Sequence, residues 1–167
     1  MKLKTKQKIA DSLRGFRLPR YHEIPDVGLY LEQTAKYITE YLNPVLENSI
    51  TPSMISNPIK KLYSREQIAY LIFIAIAKNV LSLDALINFI AVQKRTYSLQ
   101  KAYDYFCDQL ESTLFFTAEV KDTMDIVGED TADEKRLLFS CIVAVTQKIY
   151  LEKCLDAISQ EETAEND

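Results

Sequence analysis

The chain has 167 residues, 47% of them apolar and 26% charged, and a formal net charge of −4, enough to bury a core without disulfides or metals. Its three cysteines, Cys107, Cys141 and Cys154, are too far apart for a zinc knuckle or a redox pair, which points to a reduced, cytoplasmic setting. The longest apolar run, Ala69 to Ala77, is closed by Lys78 well short of the roughly 20 residues that span a bilayer, and no apolar core of a secretion signal follows Met1 to Ala10, so no membrane contact is expected.

Residues 1 to 16 read as a basic amphipathic helix broken at Gly15, followed by an extended linker from Leu18 to Pro25. Asp26 offers an N-cap for a helix reaching Leu42, with Tyr30, Tyr37, Ile38 and Tyr41 on one face. Thr51 followed by Pro52 predicts a short helix to Asn57, stopped by Pro58. Ser64 and Gln67 have capping-box spacing ahead of Ile68, Leu71, Ile72, Ala75 and Ile76. Ser82 caps the next helix, with Leu83, Leu86, Ile87 and Ile90 expected to face inward as far as Lys94. Ser98 opens a long helix striped by Tyr103, Phe106, Cys107, Leu110 and Leu114, expected to run to Ile126 and close at Gly128. Thr131 and Glu134 form a second capping box before Leu138, Cys141, Ile142, Val145 and Ile149, then Leu155 and Ile158, with a frayed tail from Gln160. No stretch alternates well enough to be a sheet, although a two-stranded ribbon near Ile59 to Tyr63 stays open. The fold class is all-α.

Charge is unevenly placed. Residues 1–22 hold seven Lys/Arg against Asp11 alone, whereas Ser98 to Asp167 hold 16 acids and 6 bases. A basic head on an acidic body fits an end that meets a polyanion, and equally an ordinary solvated tail.

Catalytic chemistry is missing. His22, the single histidine, lies in a Pro-flanked linker and reads as a surface or packing residue; three glycines leave no phosphate-cradling loop. The acid pairs Asp104/Asp108 and Asp122/Asp125 have helical spacing but no accompanying ligands, and read as a solvated face. No cofactor, metal or enzymatic activity is expected.

The short helix would expose Thr51, Ser53, Ser56 and Asn57, with Lys60, Lys61 and Arg65 close behind and Tyr63 available for a sugar or phosphate. Small polar side chains approach base edges, Asn reads adenine bidentately, and Lys/Arg hold phosphates. Arg17 and Arg20 could add phosphate contacts. The plainer reading makes Thr51 a cap, Met54 and Ile55 packing residues, and Lys60 and Lys61 a solvated turn.

Three ordered blocks, Leu18-Pro19 with Ile24 to Gln33, Ile50 to Asn57, and Lys60 to Leu71, resemble the bacterial domain-of-unknown-function family DUF1836, whose members are often described as candidate transcriptional regulators. The likeness covers about residues 15 to 92. That family in turn resembles the N-terminal domain of MerR-type regulators, a winged helix-turn-helix with a recognition helix in the major groove. The resemblance implies a recognition helix at Thr51 to Asn57, a wing at Lys60 to Tyr63, and Arg65 at a phosphate. In the family the recognition helix continues before the Pro and Lys-Lys, whereas here Asn57 meets Pro58 directly, so helix and wing are both shortened.

These readings give a basic helix and linker (1–25), a helix-turn-helix domain (26–95), a C-terminal helical region for dimerisation or a partner (96–160) and a tail (161–167). The expected protein is a DNA-binding transcriptional regulator, a homodimer through the stripes Tyr103 to Leu114 and Leu138 to Ile149 unless these close an intramolecular bundle. A protein or small-molecule effector on the C-terminal helices is a further expectation. The alternative is a helical interaction module that has lost DNA reading.

Overall fold

The computed structural model describes residues 3–47, 50–56, 62–125 and 132–166, with side chains as far as 163. Among them the fold is all-α. In chain order, α1 (Leu3–Leu13) leads through a 3-10 turn (Tyr21–Glu23) to α2 (Leu31–Leu42), α3 (Pro52–Ile55), α4 (Arg65–Ala77), α5 (Leu83–Gln93), α6 (Leu99–Thr117) and α7 (Asp133–Asn166). The only extended pairing among the described residues is one antiparallel bridge, Leu29 with Tyr63.

The centre is α4. Its sequence is apolar on every side, so it can only be stable when covered all round, and Ile68, Ala69, Ile72, Phe73, Ala75, Ile76 and Ala77 are all buried. Ser64 Oγ accepts the Gln67 N–H while the Gln67 side chain accepts the Ser64 N–H, so the expected capping box forms. Ser82 and Ser98 cap α5 and α6 through the backbone N–H three residues on. The stripes on α6 and α7 face each other: Phe106, Cys107, Leu110 and Leu114 against Leu138, Ile142, Val145 and Ile149. They belong to one core cluster that runs from Ile9 in α1 to Ile149 in α7. Both stripes are thus covered within the chain, and the same core crosses the boundaries drawn at residues 25 and 95.

Several expectations are corrected. Leu18 to Pro25 is no linker: Leu18 and Ile24 are fully buried, and the backbone N–H groups of Leu18 and Tyr21 donate to Glu111 and Asp104, both at 2.7 Å. Asp104 and Asp108 consequently receive the N-terminal segment on α6 and are not a solvated face. Asp26 does not cap α2. Gly28 at φ 78 and the Leu29 bridge hold the backbone extended as far as Tyr30, and Gln33 Oε1 accepts the Tyr30 N–H there.

Of the four apolar residues expected to face inward on α5, only Leu86 is deeply buried; Leu83 and Ile87 are 70% and 59% exposed. α6 ends at Thr117, where Glu119 adopts a left-handed φ of 57 and the Val120 and Glu119 N–H groups bond back to Phe115 O and Phe116 O. α7 continues through Gln160 to Asn166. The expected stops at Pro58 and Gly128, the cap at Thr131 and most of the possible ribbon lie outside the described residues.

Candidate functional site

Leu29 N–H donates to Tyr63 O at 3.0 Å and Tyr63 N–H returns to Leu29 O at 2.8 Å, which pins the approach to α4 beside the approach to α2. Gly28 makes this possible, because its φ of 78 is one that residues with a side chain rarely adopt. Tyr63 then points inward. It is 5% exposed, and its hydroxyl donates to Ile55 O at 2.5 Å. That carbonyl is thereby engaged by a side chain instead of a further helical N–H, and Ser56 turns extended, so α3 ends two residues before the expected Asn57.

Ile55 is buried and Tyr63 holds its carbonyl from within, so the outer side of α3 is left to Ser53, Met54 and Ser56, all exposed. Thr51 stands at the N-cap position, half-buried. Its hydroxyl makes no capping bond and lies 3.0 Å from Ser53 Oγ. Lys78, at the end of α4, places Nζ 3.8 Å from Met54 Sδ, a cation beside the short helix that the sequence reading missed. Its position depends on α2 packing against both α3 and α4, which spacing along the chain does not encode.

The other expected contacts fall elsewhere. Tyr63 offers no hydroxyl to a sugar or phosphate, because burial and the Ile55 bond turn it inward. Arg65 Nε donates to Ile24 O at 2.8 Å, with Nη1 3.8 Å from Asp26 and the guanidinium 5.8 Å over the Tyr21 ring. Arg17 donates to Glu23 Oε1 at 2.9 Å. That hydrogen bond, and the Arg20 N–H on the other oxygen, hold the Glu23 carboxyl down to about 2, and the same bond raises Arg17. Arg20 forks onto Glu111 and also reaches Asp108, and the bond to Glu111 pushes its pKa up. The arginines expected at phosphates are therefore held by the chain's own acceptors. Asn57, Lys60 and Lys61 lie outside the described residues.

No group of three or more His, Cys, Asp or Glu is placed to hold a metal among the described residues. Burial pushes the Cys107 thiol up well beyond its usual range and Cys141 to about 11, which suits packing residues and not nucleophiles. No described helix is long and apolar enough to cross a membrane.

A family model described as a domain of unknown function (DUF1836) matches residues 19–106, from the segment docked on α6 through α5 to the first half of α6. No curated protein and no solved structure matches the chain.

Proposed function

The chain belongs to the DUF1836 family of unknown function, and on that premise we propose that it is a DNA-binding transcriptional regulator with a MerR-like helix-turn-helix formed by α2 and α3. The supporting observation is the anchoring of α3. Buried Ile55 and the Tyr63 hydroxyl fix the helix from inside, so small polar side chains are presented outward on a rigid base. In this reading Thr51, Ser53 and Ser56 approach base edges, Asn57 reads adenine, and Lys60 and Lys61 hold phosphates ahead of α4. Tyr63 and Arg65 position the reader and do not touch DNA; Arg17 and Arg20 secure the N-terminal segment. The chain binds and does not catalyse.

The test is a salt titration of the purified chain against labelled DNA from upstream of its own gene, with unrelated DNA as competitor. Competitor-resistant binding with a steep salt slope supports the reading. Lys60→Ala with Lys61→Ala should then weaken binding to all sequences and flatten that slope, while Asn57→Ala should relax sequence preference by about 1–3 kcal/mol.

A second reading, a helical protein-interaction module that has lost DNA reading, is favoured by a specific observation. Arg17, Arg20 and Arg65 are engaged within the chain, whereas apolar Leu83 and Ile87 on α5 and Leu151 and Leu155 on α7 are exposed. Absence of DNA binding even at low salt would turn the work to this alternative.

A further inference from the structure

Where α4, α5 and α6 meet, with Leu138 of α7 alongside, the structure leaves a cavity of about 50 Å³. One water-sized position takes roughly 10–15 Å³, so the space suits a single small ring and not a fused or sugar-bearing one. Its walls are aromatic, with Tyr70, Phe73, Phe89, Tyr97 and Phe106 among them. Phe73 stacks on Phe89 at 5.6 Å and meets Phe106 edge to face at 5.1 Å, so the wall offers faces and edges to a further ring. Gln93 and Tyr103 also line the space, but Gln93 Oε1 and the Tyr103 hydroxyl have essentially no accessible surface and do not face it. The interior therefore favours an apolar body.

Charge enters at the rim. Lys94 belongs to the lining and is exposed, and its Nζ stands 5.0 Å from the centroid of the Tyr70 ring. Lys101, exposed as well, places its Nζ 5.1 Å from the centroid of Tyr97, the second rim tyrosine. Neither lysine is ion-paired among the described residues, and no Asp or Glu lines the cavity. A cation over an exposed ring is only weakly held, and both side chains have long flexible stems, so each can turn to an anion at the opening. On a chain of net charge −4, two unneutralised cations beside one apolar opening make a local positive field.

We propose that this cavity binds a single-ring aromatic carboxylic acid, its ring received against Phe73, Phe89 and Phe106 and its carboxylate left at the opening, where Lys94 and Lys101 approach it. A carboxylate kept at the solvent-facing end is not desolvated, so burial of the ring is not offset by the cost of burying an ion. No residue of α3 lines the cavity, and the proposal does not depend on the DNA reading.

Benzoate, toluene and acetate are the probes: ring with carboxylate, ring without it, and carboxylate without the ring. Each is titrated at low salt into the full-length ¹⁵N-labelled chain and followed by amide chemical shifts. The expected result is saturable shifts at Phe73, Phe89 and Lys94 with benzoate, toluene weaker by about fivefold, the scale of exposed ion pairs, and no saturation at these amides with acetate. Lys94→Met with Lys101→Met removes both charges and keeps much of the stems, so it should bring benzoate down to toluene or below and leave toluene unchanged. Ala102→Leu, which fills the cavity, should weaken both ring probes; it can fail to fold, and the double lysine variant, confined to exposed side chains, stands without it. Benzoate shifts that do not saturate, that map elsewhere, that toluene matches at equal affinity, or that keep their full affinity in the double lysine variant would overturn the proposal.

Discussion

The Arg20 side chain is 17% exposed and its Nη2 lies 2.7 Å from both Asp108 Oδ1 and Glu111 Oε2, while Nη1 also donates to Leu18 O. Glu111 is more enclosed still, at 13% exposure, and accepts the Leu18 N–H. Removing one member of such a pair leaves the other's charge poorly solvated, which costs more than the pair itself contributes. Arg20→Ala should accordingly destabilise the chain by about 2–4 kcal/mol in urea unfolding, and Arg20→Lys should recover only part, because an ammonium cannot reproduce the two-pronged contact. Glu23 makes a pH-dependent contribution. Its folded pKa, about 2, lies below the ordinary carboxylate value of 4.5, so its stabilisation is complete above that value and is lost as the pH falls from there towards 2. The urea midpoint of Glu23→Gln should therefore fall less than that of the parent chain between about pH 5 and pH 2. The excess of base before residue 23 and of acid after residue 98 was legible in the sequence. That Arg20 meets Glu111, 91 positions away, was not, because a charge count carries no distances.

Helices announced themselves where a side chain closes a backbone bond nearby. Ser64, Ser82 and Ser98 each precede an apolar period, and each caps the helix expected of it. Ends and faces were less legible. Period alone made Leu83 and Ile87 as eligible for the core as Leu86, but α5 buries a narrower strip than its composition would cover. Past Leu114, the residues Phe115-Phe116-Thr117-Ala118 contain no breaker, so the pattern continued on paper to Ile126. The stop is made by tertiary bonds: Ser112 Oγ accepts the Asp125 N–H at 2.8 Å, and Gln109 Nε2 donates to Asp125 O at 2.9 Å, folding the chain back along α6. Glu119 stands where glycine is the usual left-handed helix terminator. Glu119→Gly relieves that conformation and gives up only the exposed pair with Lys6. It should raise stability by about 0.5–1 kcal/mol in urea unfolding; a loss of that size would mean that the Lys6 contact outweighs the backbone strain.

The family match ends at residue 106, midway along α6, but the core does not end there. Phe106, fully buried, belongs to the same cluster as Leu110 and Leu114 beyond it and Leu138, Ile142, Val145 and Ile149 on α7. α1, before the match begins, packs on α7, and its Ile9 and Leu13 belong to that cluster too. Each fully buried Leu or Ile is worth about 1.5–3 kcal/mol, and whole domains are stable by only about 5–15 kcal/mol. A piece limited to 19–106 loses at least six such side chains and exposes the inner face of α6, so it should not hold the fold. Expressed alone it should keep helical far-ultraviolet dichroism but lose the near-ultraviolet signal of fixed tyrosines, as expected when packing is lost and helices remain. The whole chain should unfold in urea with both signals moving together in one transition. Two separated transitions, or a fragment with native tyrosine signals, would restore the division near residue 95 and make α7 an appended element. One shared transition would make α7 part of the scaffold that holds α4 and, through Tyr63, presents α3. Its apolar stripe from Leu138 to Ile149 would then owe its pattern to folding, and any second copy of the chain would have to dock elsewhere.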